Sequence, residues 1–293
     1  MRNILVCSLL LASAIANAGV EAPVVGGTSV PAGKYPDVAL VVAPNALCTG
    51  TLIAPTVVLT AGHCIDTNPK EVLIGSIDYT AAAGEVIAVK SATAYPSWQT
   101  ELDVGVLVLA HASKAKPRAI AAACTAKDLV NDAKVTVVGF GLTDKAGTGD
   151  NSKLHEAKLV VEDATCTDGD GCEANVAPNG EFVAGGAGKD SCFGDSGGPI
   201  YIDDALIGVV SRGIGTSAEP CGGGGVYVRA DAAVQWIEKT TGVQITRSTC
   251  DAKEDGIDAD NSPETGGCSA TGGLASWWML VLVGGSAIIF RRK

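Results

Sequence analysis

Gly194-Asp195-Ser196-Gly197-Gly198-Pro199 decides how this chain is read. A serine hydroxyl is a weak nucleophile. It attacks an acyl carbon only when a base takes its proton and a third group orients that base. Two other segments carry residues of those types: Thr60-Ala61-Gly62-His63-Cys64, and Asp103 within Glu101-Leu102-Asp103-Val104-Gly105-Val106-Leu107. Taken singly, each has an ordinary explanation. Gly-x-Ser-x-Gly runs occur in loops, a histidine before a cysteine is commonly a half-buried structural residue, and an aspartate before an apolar strand commonly caps a turn. Together, and in the order His63, Asp103, Ser196, they read as a nucleophilic triad. The other two histidines, His111 and His155, have no such context and read as surface or strand-end residues.

The order and the three contexts resemble the trypsin/chymotrypsin family of serine endopeptidases; other folds build the triad in other chain orders. The resemblance runs from about Val24 to about Gly242. Cys48 through Cys64 is similar to the family's approach to its catalytic histidine. Leu73-Ile74-Gly75 and Ala94-Tyr95-Pro96-Ser97-Trp98 are similar to later landmarks. Val138-Gly139-Phe140-Gly141 resembles the family's Gly-Trp-Gly, with Phe140 in place of tryptophan. Gly225-Val226-Tyr227-Val228 and the segment from Asp231 to Glu238 resemble the closing strand and C-terminal helix.

The resemblance implies roles. Ser196 Oγ attacks the scissile carbonyl, His63 takes the proton and returns it to the leaving amine, and Asp103 holds the imidazole. The backbone N–H groups of Gly194 and Ser196 form the oxyanion hole. Losing one such donor typically costs roughly 100- to 1,000-fold in rate. Asp190 marks the floor of a specificity pocket for arginine or lysine, and Ser211, Gly213 and Gly225 are substrate-binding positions around it. Val24-Val25-Gly26-Gly27 is similar to the start of a mature trypsin-like chain, whose new α-amine pairs with the carboxylate before the catalytic serine, here Asp195. The uncut chain is therefore expected to be a zymogen. Pro23 precedes Val24, so a separate activating protease is expected rather than a trypsin-like self-cut. Arg212 stands where the family usually has tryptophan, and a free cation there argues against hydrophobic subsite preferences and for acidic substrate residues nearby. No cofactor is implied. The Gly75-to-Glu85 loop lacks the acidic pair that binds calcium in vertebrate trypsins, so no metal is expected.

Cys48–Cys64 and Cys192–Cys221 match family disulfides. Cys166, Cys172, Cys124 and Cys250 do not map onto the family's other bridges; Cys166–Cys172, across a short acidic-glycine loop, and Cys124–Cys250 are the pairings adopted. Such cysteine use suits an oxidising compartment.

Composition agrees with short strands and tight turns: the 293 residues are 47% hydrophobic and 4% aromatic, with 37 glycines. A net charge of −11 argues against a nucleic-acid partner, which calls for a basic face. Apolar alternation predicts strands near 38–43, 51–60, 71–75, 85–92, 104–109, 134–140, 156–161, 198–202, 205–212 and 225–229. A helix over 231–240 follows, with Asp231 as N-cap and Gly242 just beyond its end. The fold class expected is all-β: by the resemblance, two six-stranded antiparallel Greek-key barrels with a C-terminal helix, followed by a single C-terminal transmembrane helix.

The ends of the chain carry other signals. Residues 1–18 read as a secretory signal peptide closing on Ala16-Asn17-Ala18, which leaves 19–23 as a propeptide and 24–248 as the protease domain. Residues 249–267 form an acidic linker with little to pack. In 268–293, the apolar run Leu274 to Phe290, ending on Arg291-Arg292-Lys293, suits a short membrane span with its cations on the cytoplasmic side. With Gly266-Gly267-Cys268 before it, the segment resembles bacterial MYXO-CTERM and GlyGly-CTERM sorting tails. That resemblance implies a sorting protease, transient inner-membrane anchoring through 274–290, and a periplasmic, then surface or extracellular, enzyme. The partners expected are protein or peptide substrates with Arg or Lys at the cut.

Overall fold

The computed structural model describes residues 23–167 and 171–250. The chain divides into two units, Met1–Cys250 and Asp251–Lys293. The expected signal peptide, most of the expected propeptide, and the expected linker and membrane segment beyond Cys250 lie outside the described residues, Cys268 among them. Among the described residues, no helix is long and apolar enough to cross a membrane.

Six strands close the first barrel: β2 (Val38–Ala43), β3 (Ala46–Ala54), β4 (Val57–Thr60), β5 (Glu71–Ile74), β6 (Glu85–Ala94) and β7 (Gly105–Leu109). The second comprises β8 (Lys134–Gly139), β9 (His155–Asp163), β10 (Glu181–Ala184), β11 (Pro199–Ile202), β12 (Ala205–Gly213) and β13 (Gly225–Arg229). Its order is β9-β10-β13-β12-β11-β8, closed by pairing of β8 with β9, and the two-residue β1 (Thr28–Ser29) adds to β9. All the ladders are antiparallel.

Several strands are apolar on both faces, because one face fills a barrel and the other meets its neighbour. In β2, Ala39 and Val41 pack inside the first barrel, while Val38 and Leu40 join a cluster shared with Phe140, Val209 and Ile237. In β4, Val58 points inward, whereas Val57 and Leu59 join the shared cluster. Period-2 geometry sorts such a run onto two faces.

A polar clamp also joins the barrels. Asp37, buried just before β2, accepts from Arg118 Nη2 (2.7 Å), Arg118 Nε (3.1 Å) and the Tyr201 hydroxyl on β11 (2.6 Å). A buried carboxylate is retained only with such partners. The clamp fixes one barrel against the other, and hence the two halves of the cleft between them.

The structure corrects several local expectations. The run 51–60 is two strands, not one: the chain turns at Pro55-Thr56, where β3 gives way to β4. Strand β10 is absent from the sequence reading. Asp231 does not cap the C-terminal helix. A 3₁₀ turn (Ala230–Ala233) leads into the α-helix Val234–Thr241, and Asp231 instead takes a two-pronged ion pair from Arg229. Gly242 does end the helix, at φ 70°, with its N–H on Glu238 O.

His155 opens β9, but it is buried at 4% exposure rather than at the surface. Among the described residues its Nδ1 has no hydrogen-bond partner, and burial pushes the imidazole down to about 4. A base with a lowered folded-state pKa stabilises the fold only above its unfolded value of about 6.5. Stability is then lost as pH falls from there toward 4, on the order of 3 kcal/mol in all. Urea unfolding of His155→Leu at pH 7 and pH 4.5 should show a smaller acid loss than wild type; an equal loss would contradict this role.

Candidate active site

The candidate base, His63, is set by a strand end and a short helix. β4 runs into the helix Gly62–Asp66, which carries His63, and the Cys48–Cys64 disulfide ties that helix to β3. Asp103 is buried just before β7. Its Oδ1 accepts the His63 backbone N–H at 2.9 Å, and its Oδ2 lies 2.8 Å from His63 Nδ1. The Ser211 hydroxyl donates to the same Oδ2 at 2.7 Å. Burial alone would raise the Asp103 pKa, but the bonds from His63 and Ser211 outweigh it and hold the carboxyl below its usual value. A charged Asp103 fixes Nδ1 as the protonated nitrogen and leaves Nε2 to act as the base.

Ser196 is half-buried on the loop between β10 and β11. The loop is pinned from both barrels: Thr49 N–H donates to Ser196 O (2.9 Å) and Gly197 N–H to Val210 O (2.8 Å). His63, Asp103 and Ser196 line one cleft of about 660 Å³. Among the described residues, Ser196 Oγ has no hydrogen-bond partner, an arrangement in keeping with catalytic bonds that tighten only once substrate is bound. The backbone amides of Gly194 and Ser196 likewise donate to no protein acceptor among the described residues. Gly194 has φ 102°, and a Cβ there would lie 2.8 Å from Phe140 O, so glycine is required.

Thr49 was not singled out by the sequence reading. Its Oγ1 donates to Gly194 O (2.8 Å) and accepts the Phe140 N–H (3.1 Å). The first barrel thereby holds the donor loop of the second. Position beside Cys48 was the one available hint.

Asp190 is fully buried. Its Oδ2 accepts the N–H groups of Gly222 (3.1 Å) and Gly224 (3.2 Å), and its Oδ1 accepts the Ser191 hydroxyl (3.4 Å). Desolvation pushes its pKa up to about 6 despite those bonds. Ser191, Cys192, Gly213 and Cys221 also line the cleft, whereas Asp190 and Gly225 are not among its lining residues; Asp190 adjoins it through Ser191. A Cβ on Gly225 would lie 3.1 Å from Asp190 Oδ1, so this glycine keeps the carboxylate's surroundings open. Ser211, expected to bind substrate, also lines the cleft, but its hydroxyl is committed to Asp103.

Asp195 is fully buried, between the amides of Gly141 (2.8 Å) and Cys192 (2.9 Å), and burial pushes its pKa up to about 7. Gly139 and Gly141 make room for it: a Cβ on either would fall within 2.2 Å of its carboxylate oxygens. Val24 and Val25 are buried too, and Val25 O accepts the Asp190 N–H (3.1 Å). Val24 has φ 40°, a strained value for a β-branched residue. Its nitrogen is a peptide nitrogen here, and among the described residues it makes no ion pair with Asp195.

Arg212 lines the cleft, but its cation is paired rather than free to meet acidic substrate residues. Its guanidinium lies on buried Glu181, with Nη1 and Nη2 at 2.8 and 2.7 Å from the carboxylate oxygens. The disulfides are Cys48–Cys64, Cys124–Cys250, Cys166–Cys172 and Cys192–Cys221. Cys48 and Cys64 flank His63 within metal-binding reach, but they are bonded to each other and so are not thiolate ligands.

Two β-barrels with an Asp–His pair facing a serine across their cleft define the serine hydrolase class of this chain. Residues 24–237 match the Trypsin family, and the chain belongs to it. It is a trypsin-like serine endopeptidase. It is 33% identical over 219 residues to a trypsin of Saccharopolyspora erythraea, covering 71% of this chain and 94% of that one. It is 32% identical to Trypsin 5G1 of Aedes aegypti, over 75% of this chain and 85% of the other. It is also 32% identical to Glucanase inhibitor protein 1 of Phytophthora sojae, over 76% and 93%.

Proposed function

We propose that this chain is made as a secreted zymogen whose mature form, beginning at Val24, cuts peptide bonds after Arg or Lys. The observation that carries the catalytic part is the Asp103–His63 pair lining one cleft with Ser196, beside two undonated amides. Ser196 Oγ adds to the scissile carbonyl while its proton passes to His63 Nε2. The amides of Gly194 and Ser196 receive the oxyanion. His63 then protonates the leaving amine, leaving an acyl-enzyme that water opens by the same steps in reverse. The relative named as a glucanase inhibitor raises a binding role as the second reading; a complete triad in a formed cleft favours hydrolysis.

Basic specificity is supported by Asp190, a buried carboxylate that no cation meets among the described residues. An Arg or Lys side chain would supply the missing charge. Zymogen activation is supported by the burial of both Asp195 and Val24 and by the strained φ at Val24. A cut between Pro23 and Val24, made by another protease, frees an amine to pair with Asp195. Pairing raises that amine above its usual pKa of about 7.7–8. The stabilisation is full below the unpaired value and is lost as pH climbs through the raised one. N-terminal sequencing of active enzyme should read Val-Val-Gly-Gly; full activity in a form still carrying Pro23 would contradict the activation step.

The signal peptide and the C-terminal segment support export through the Sec pathway, transient anchoring by residues 274–290, and release by a sorting protease near Gly267-Cys268.

A further inference from the structure

We propose that Arg212, held by the buried carboxylate of Glu181, is a positioning residue for the triad, acting through the Ser211 hydroxyl on Asp103. The proposal rests on hydrolysis by His63, Asp103 and Ser196. Glu181 opens β10 at 0% exposure, and it accepts the Glu173 N–H (2.8 Å) as well as the Arg212 fork. Such a two-pronged pair has fixed geometry as well as charge. Arg212 Nε donates to Gly171 O (2.7 Å), which ties the fork to the loop closed by Cys166–Cys172. The fork is therefore held from two sides before it reaches the cleft.

Its remaining contact faces the triad. Arg212 Nη1 also donates to Ser211 Oγ at 3.1 Å. A serine hydroxyl has one hydrogen to give. With a cationic donor occupying its acceptor side, Ser211 directs that hydrogen to Asp103 Oδ2, at 2.7 Å. The same Oδ2 orients His63 Nδ1 at 2.8 Å. Glu181, Arg212, Ser211, Asp103 and His63 thus form one chain of contacts, running from a wall of the second barrel to the imidazole of the first. A tryptophan at position 212 would supply no cationic donor, so this chain depends on the arginine. Arg212 also lines the cleft, but Glu181, Gly171 and Ser211 already take most of its N–H groups, leaving little to recognise an anionic substrate.

Losing Arg212 alone leaves buried Glu181 uncompensated, so the decisive variant removes both. Mature enzyme carrying Arg212→Gln with Glu181→Gln, enzyme carrying Ser211→Ala, and the triple variant are assayed on a single-residue amide that reaches only the specificity pocket. The double variant should lose about tenfold in kcat, one lost oriented hydrogen bond, with KM unchanged. The triple variant should be no slower than Ser211→Ala, because the effects run through one hydroxyl. Multiplicative losses in the triple variant would overturn the proposal, as would a change confined to KM. If the double variant does not fold, Arg212→Lys takes its place: it keeps the charge but not the fork, and should lower kcat at constant KM. Wild-type kcat in that variant would overturn the proposal. Activity that survives Ser196→Ala would instead overturn the triad itself.

Discussion

Replacing Ser196 with alanine should abolish peptide hydrolysis while leaving the fold intact. The expected loss is on the order of a million-fold in kcat, since removing the nucleophile of such a triad costs about as much as removing all of it. What survives comes from the oxyanion donors and substrate binding, which the change does not touch. Stability should hold because Ser196 Oγ has no hydrogen-bond partner among the described residues, and the loop is pinned by backbone bonds from Thr49 and to Val210. Thermal unfolding of the variant should match wild type. Retention of near-wild-type activity, with contaminating protease excluded, would contradict the assignment.

The second large effect is on specificity. Asp190→Ser should lower kcat/KM for arginine substrates by roughly 100- to 5,000-fold, the equivalent of leaving a buried charge unpaired at about 3–5 kcal/mol. The free enzyme should be no less stable, because its Asp190 is a buried carboxylate whose protein partners are amides and a hydroxyl. The pH dependence has a definite sign. Burial raises the carboxyl to about 6, so the charge that would hold a cationic side chain is present above that value and is lost as pH falls through it. KM for arginine substrates should therefore rise on acidification toward pH 5. A wild-type preference for Phe, Leu or Ala, or an Asp190→Ser enzyme that keeps its arginine activity, would contradict the pocket reading.

What the sequence revealed was local. His63, Asp103 and Ser196 each sit in a distinctive short run, and the strands of the first barrel show as apolar stretches. The contacts that escaped it join residues far apart in the chain. Arg212 reads as a free cation because Glu181 lies 31 positions away. Strand β10 reads as loop for the same reason: it opens on that glutamate, whose charge is acceptable inside only because Arg212 meets it. The clamp of Asp37 with Arg118 and Tyr201 spans 81 and 164 positions and leaves no periodic trace. Asp231 shows the converse failing. It stands where a cap is expected, yet Arg229, two residues earlier, competes for its carboxylate and wins. Pro55 was a visible turn signal inside an apolar run, and the run outweighed it.

In the proposed mechanism Ser196 is the nucleophile, and His63 and Asp103 activate it. Reaction of mature enzyme with a fluorophosphonate tests this most directly, because the reagent transfers phosphorus to an activated serine with loss of fluoride. Peptide mapping by mass spectrometry should place one adduct on the peptide containing Ser196, and His63→Ala should suppress its formation. An adduct on another residue, or equal labelling of Ser196 without His63, would contradict the mechanism.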